Sequence, residues 1–144
     1  MSASLKLLAE DAADLEVIAA AAQDALLRMG ELSFDAKTRR FTAVINRFRW
    51  ETAEAGQYQR VRAALSFESV LGVKSRRLRR DAADALASVL SVDFVPAEEP
   101  PGGAVRVTLA GGGEIVLEVE CLDALLMDIG PVWPTPRRPD HEAS

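Results

Sequence analysis

The stretch Val105-Arg106-Val107-Thr108-Leu109-Ala110-Gly111-Gly112-Gly113-Glu114-Ile115-Val116-Leu117-Glu118-Val119 carries the plainest structural signal in the chain. On each side of the three glycines, every second residue is a large apolar one, the period of two that lines one face of a strand. Glycine reaches the positive φ of a tight turn without steric cost, so the segment predicts an antiparallel hairpin. Val105, Val107 and Leu109 should share a buried face with Ile115, Leu117 and Val119. A phosphate cradle would need the glycines ahead of a helix N-terminus with a lysine nearby; these lie between strands and read as a turn.

Upstream, Arg60 to Phe67 repeats the pattern, with Val61, Ala63, Leu65 and Phe67 on one face and Arg60, Arg62 and Ser66 on the other. Arg39 to Trp50 is rich in aromatic and β-branched residues and predicts a further strand. Toward its end Arg47 and Arg49 alternate with Phe48 and Trp50, placing the arginines on one face and the rings opposite. Ala25 to Met29, then Gly30, Leu32 and Phe34, predict a strand with a kink or bulge, and Asp35-Ala36-Lys37-Thr38 a tight turn. Val70 to Val73 continues the apolar character out of phase, which suggests a bend, and the basic run Lys74 to Arg80 reads as a loop or short helix. Leu86 to Val95 fits a strand after a helical turn, stopped by Pro96.

Two segments have helical spacing. Leu15, Ile18 and Ala22 recur on one stripe between Asp11 and Gln23, with Asp11 or Asp14 placed to cap it. Leu122, Leu125, Leu126 and Ile129 form a second stripe that stops at Gly130-Pro131. Pro131, Pro134, Pro136 and Pro139 then punctuate a polar tail. The order predicts an α+β fold: an antiparallel, strongly curled sheet or partial barrel with an N-terminal helix and a closing C-terminal helix, in the manner of pleckstrin-homology-like folds. Residues 1–130 read as one domain and 131–144 as a flexible tail. At 144 residues the chain has room for one core.

Composition narrows the chemistry. Apolar residues make up 49% and charged residues 27%, the balance of a folded globular chain. Cys121 is the one cysteine, which excludes an intramolecular disulfide and fits a cytoplasmic home. His141, the one histidine, lies in the tail, so a Ser-His-Asp triad, a Cys/His zinc site and an HExxH site all lack parts. Leu5, Leu7 and Leu8 meet Glu10 and Asp11 at once, too soon for a membrane span or signal peptide. Glu118, Glu120, Asp123 and Asp128 straddle a change of period, so no metal site or carboxylate pair is inferred, and no cofactor is expected.

The net charge of −5 is unevenly spread: −4 over residues 1–27, +8 over 28–80 and −9 over 81–144. Within the basic middle, Arg47, Arg49, Arg60 and Arg62 would project from one sheet face if their strands pair in the matching register. Guanidinium forks so arranged suit a carboxylate or phosphate, and Glu51, Glu54 and Glu68 stand near as local partners. A register slip by one residue would send two of the four inward. Lys74, Arg76, Arg77, Arg79 and Arg80 would extend the surface, but an acidic chain with no stacking platform disfavours nucleic acid.

The expected function is a non-catalytic binding or interaction module that holds an acidic protein or small anion on the arginine face. The alternatives are a small ligand-binding protein or enzyme with a pocket between sheet and C-terminal helix, and a structural subunit that oligomerises through an exposed strand edge. The segments Leu5-Lys6-Leu7-Leu8-Ala9-Glu10-Asp11, Gln23-Asp24-Ala25, Arg39-Arg40-Phe41, Asn46-Arg47-Phe48-Arg49-Trp50-Glu51, the Gly-rich hairpin and Pro139-Asp140-His141 together resemble a small uncharacterised alphaproteobacterial family, a domain of unknown function. The resemblance spans nearly the whole chain, implies one domain in a bacterial cytoplasm, and brings no catalytic residues.

Overall fold

The computed structural model describes residues 4–78, 82–136 and 138–139, which form nine strands and two short helices. In chain order these are β1 (Lys6–Ala9), α1 (Ala12–Ala22), β2 (Leu26–Asp35), β3 (Arg40–Phe48), α2 (Trp50–Ala53), β4 (Gln59–Phe67), β5 (Val70–Arg76), β6 (Leu86–Pro96), β7 (Gly103–Leu109), β8 (Glu114–Val119) and β9 (Ala124–Pro134). The strands join in the order β1-β9-β4-β3-β2-β6-β7-β8-β5, every pair antiparallel. The end strands β1 and β5 do not pair, so the sheet is not closed into a barrel.

The β7–β8 hairpin forms as its alternation requires, with Val105, Val107, Leu109, Ile115, Leu117 and Val119 all buried. Gly111 and Gly112 take φ of +87° and +94° in its turn. β6 links the two halves of the sheet: Leu86–Ser88 pair with β2 and the rest of the strand pairs with β7. The halves also meet at their other side, where Glu68 N–H donates to the Asp123 carbonyl and Glu120 N–H to the Ser69 carbonyl. Phe41, Ala43, Ile45, Leu65, Phe67 and Leu126 from one half therefore share a single core with the hairpin's apolar rows. Asp11 caps α1 by accepting from Asp14 N–H at 2.8 Å, and Leu15, Ile18 and Ala22 bury the helix against β1 and β6.

The α+β, pleckstrin-homology-like expectation is corrected: the fold is mainly β, and there is no closing C-terminal helix. Residues Ala124–Pro134 are hydrogen-bonded to β4 on one edge, and Ala124–Met127 also to β1 on the other. Ala124 and Leu126 face the core while Leu125 and Met127 face outward half-buried, so apolar residues on both faces hide the period of two. Gly130-Pro131 is a bulge in this strand and not a helix stop. The β4 pairing shifts between Val61 and Ala63, and a Cβ at Gly130 would stand 2.5 Å from the Arg62 Cβ. β9 consequently runs to Pro134, past residue 130.

Two further segments differ from expectation. The Lys74–Arg76 part of the basic run is strand, continuing β5 along β8; Arg79 and Arg80 lie outside the described residues. Trp50 leaves the strand to open α2, where its indole N–H donates to the Gln23 carbonyl at 3.2 Å.

Gly103 seats β7 against β6 closely enough that a Cβ there would lie 2.5 Å from the Val95 carbonyl oxygen and 2.6 Å from the Phe94 ring. Gly103→Ala is therefore expected to cost about 1–3 kcal/mol through overpacking, read as a lower urea midpoint with an unchanged slope.

Candidate binding site

Register decides the fate of the four arginines. In the β3–β4 ladder Arg47 stands opposite Val61, Asn46 opposite Arg62, and Phe48 opposite Arg60. Directly opposed residues share a face, so odd positions of both strands point one way and even positions the other. Arg47 lies with Val61, Ala63 and the core, whereas Arg60 and Arg62 lie on the opposite side. The shared arginine face expected from sequence is thus not formed, and Arg47 and Arg49 are the two sent inward.

Arg47 is fully buried yet fully engaged. Its Nε and Nη2 donate to the two oxygens of Asp128 at 2.8 and 2.9 Å, and its Nη1 and Nη2 to those of Glu51 at 3.0 and 2.7 Å. Asp128 also accepts from Leu5 N–H at 3.0 Å, which ties the chain leading into β1 to the cluster. Burial alone would push the Asp128 carboxyl up, but the hydrogen bonds from Arg47 and Leu5 and the charges of Arg47 and Arg49 outweigh it and hold the group below its ordinary range. Glu51 is likewise lowered: burial opposes ionisation and the Arg47 contact prevails. Burial would lower the Arg47 guanidinium, yet its two carboxylate partners hold it above its ordinary value.

Arg49 is 3% exposed and has weaker partners: Nη1 donates to Gln59 Oε1, and Nε is 3.8 Å from Glu51. On the other face Arg60 is half-buried, donates to the Asn46 carbonyl at 3.0 Å and stands 5.9 Å from the Phe48 ring centre. Arg62 pairs with Glu31. Trp133 sits opposite Arg60 in β9, and Arg138 of the tail lies over Trp50 at 5.4 Å. Among the acidic residues weighed for a metal, Asp128 serves Arg47 and Glu120 pairs with Arg39. Among the described residues no cluster of three His, Cys, Asp or Glu side chains could hold a metal ion.

Among the clefts of the described residues, two lie where sequence reasoning did not find them, since each depends on elements far apart in the chain. The first is a slot of about 440 Å³ where β2 and β5 fail to meet, lined by Met29, Leu32, Ser33, Phe34, Phe41, Val73, Ser75, Leu78 and Ile115. Consecutive residues Leu32, Ser33 and Phe34 point to alternate sides of β2, yet all three border the slot, so it runs along the strand's edge. Among the described residues, Leu32–Asp35 pairs with β3 alone and β5 with β8 alone. The second is a groove of about 620 Å³ between α1, the chain around Leu5 and Leu7, and the start of α2, with Arg49 in its wall.

These features describe a mainly β protein with an unclosed sheet and open clefts on its surface. The chain belongs to the family described as Protein of unknown function (DUF2948), whose model matches residues 5–141. No curated protein and no solved structure matches it. No helix among the described residues is long and apolar enough to cross a membrane.

Asp128→Asn would leave the buried Arg47 charge with one carboxylate and is expected to destabilise the fold by about 3 kcal/mol at pH 7. Asp128 and Glu51 both titrate lower in the folded chain than in the unfolded one, so their stabilisation is complete above the unfolded value of about 4 and is lost as pH falls through the folded value. Urea unfolding should show the gap between wild type and Asp128→Asn closing in acid. Equal stability of the two at pH 7 would show that the cluster does not hold the fold.

Proposed function

We propose that the protein is a non-catalytic binding module that receives an extended, acidic segment of a partner protein in the slot between β2 and β5. The reading is carried by one observation: an unpartnered stretch of strand edge borders a slot of mixed polar and apolar lining whose far wall is a second strand with an open edge. Open edges offer backbone N–H and C=O groups in a row, and an added strand satisfies them. Side chains on one face of that strand would meet Phe34, Val73, Leu78 and Ile115. Lys74 and Arg76 are exposed on the face of β5 opposite the slot-lining Val73 and Ser75, with Arg77 just beyond, and this positive charge along the open strand favours an acidic partner.

This keeps the acidic partner expected from sequence and moves the contact away from the four arginines. Arg47 has spent its donors on Asp128 and Glu51 and has nothing left for a partner. A cytoplasmic location belongs to the same reading and rests on the chain's single cysteine.

Ten-residue peptides alternating acidic and apolar residues, selected by display against the protein, supply the probe. They are expected to perturb backbone amides along Leu32–Phe34 and Val73–Ser75. Ser75→Arg, which fills the slot, should weaken them about tenfold or more, while Ser66→Arg on the outer sheet face should leave binding unchanged. Equal affinity for Ser75→Arg, or amide shifts confined to another face, would overturn the proposal.

A further inference from the structure

The slot between β2 and β5 is also a gap in the core, and the register of its two walls shows which side chains face it. Phe34 stands opposite Phe41 and Leu32 opposite Ala43, so both share the inward face of β2, while Ser33 points outward with Thr42. In β5 Val73 stands opposite Leu117 and Ser75 opposite Ile115, so these two face inward as well. Their partners Phe41, Ala43, Leu117 and Ile115 are all buried. Phe34 is nonetheless 38% exposed, and Leu32, Val73 and Leu78 are only partly buried.

Protein interiors are close-packed, so apolar side chains that face a core and stay uncovered mark a place left for another side chain. Ser75 contributes to that space: a small residue stands where its inward-facing neighbours are valine, leucine and isoleucine, and the slot reaches past it to Met29, Phe41 and Ile115. We infer that the segment bound in the slot carries one aromatic side chain, which enters this gap against Met29, Phe34, Phe41 and Ile115 and completes the core. The inference rests on the strand-addition reading above and names the side chain by which the added strand is recognised.

Each part of that occupant answers a feature of the slot. Both flanking strand edges are open among the described residues, so the filling side chain arrives on an extended backbone able to pair with them. Phe34 and Phe41 offer rings for edge-to-face or offset packing. The Met29 thioether adapts its shape to a neighbouring ring and makes a favourable contact with it. The slot volume of about 440 Å³ leaves room for one ring and the backbone that carries it. Lys74 and Arg76 project from the face of β5 opposite Val73 and Ser75, so the acidic residues of the segment belong on its outward face, one position to either side of the ring.

The probes are the ten-residue peptides selected by display, measured by calorimetry and by side-chain methyl shifts of the full chain. They are expected to share an aromatic residue at one fixed position and to shift the methyl groups of Met29 and Ile115. Replacing that residue by leucine should weaken a peptide about threefold, and by alanine about tenfold or more. Ser75→Leu fills the gap from within: it should raise the urea midpoint of the free protein and erase the difference between the aromatic and alanine peptides. Phe34→Ala, at the exposed edge of the gap, should fold as wild type does and reduce the same difference. Peptides that perturb the amides of Leu32–Phe34 and Val73–Ser75 yet tolerate alanine at every apolar position would overturn the aromatic anchor and leave strand addition standing. Absence of any peptide bound at the slot would overturn both. A Ser75→Leu chain that is less stable than wild type, or that still prefers the ring, would likewise overturn the anchor.

Discussion

The fold depends on how one buried cation is neutralised. Arg47 sits at the end of β3, where the ladder to β4 stops and the chain turns into α2, and it is sealed from water. Asp128 reaches it from β9 and Glu51 from α2, so a single guanidinium joins three elements that are distant in sequence or differ in type. Through Leu5 N–H the same Asp128 holds the chain at the entry to β1. Replacing such a cluster with apolar side chains is often no less stable, whereas removing one member leaves a buried charge exposed to an apolar surround. Its effect is therefore one of specification: it fixes where β9 lies against β3 and β4, and which way α2 leaves the sheet.

The groove beside α1 adjoins that corner. Arg47 takes the hydrogen bonds of both carboxylates, and its neighbour Arg49 completes the balance of charge through a longer ion pair with Glu51 and a hydrogen bond to Gln59, in the wall of the groove beside α1. The slot has another origin. The pairing of β2 with β3 shifts between Leu27 and Leu32, and β2 leaves β6 after Arg28, so Leu32–Asp35 stays paired with β3 on one edge and leaves its other edge unpaired. Val70 N–H still donates to the Arg39 carbonyl at one end, and Gly30 N–H to the Ala83 carbonyl at the other. The first of these bonds ties β5 to the β2–β3 turn and closes one end of the opening.

Much of the fold was legible where the two faces of an element differ in polarity. The β7–β8 hairpin, β4, the bulged β2, α1 with its Asp11 cap, and β6 after its short turn all follow from periodicity and turn chemistry. The C-terminal segment was not legible, because a strand lined with leucines on both faces contains a helical spacing by accident: Leu122, Leu125, Leu126 and Ile129. The arginines were half legible. Phe41, Ala43 and Ile45 are apolar and buried, and carrying their phase two residues on puts Arg47 inside. The rings of Phe48 and Trp50 gave the opposite phase, and they misled because the end of β3 is covered on both sides: the Arg47 cluster lies beneath and Trp50 and Arg60 lie above. Glu51 was visible as a nearby partner. Asp128 was not, since its approach depends on β9 being a strand at all.

The strand edges also bear on the idea of a self-assembling subunit. An open edge invites a second copy of the same strand, and natural sheets discourage this with short strands and with lysine or arginine. β1 is four residues long and carries Lys6, and β5 carries Lys74 and Arg76 with Arg77 just beyond. Two β5 strands paired with each other would put like charges on both sides of one ladder, an arrangement that weakens it. The same cations attract an acidic strand. The pattern of charge on the open edges therefore separates the readings that share them: it opposes union with another copy and favours a partner of opposite charge, which is the selectivity an interaction module needs and a homomeric building block does not.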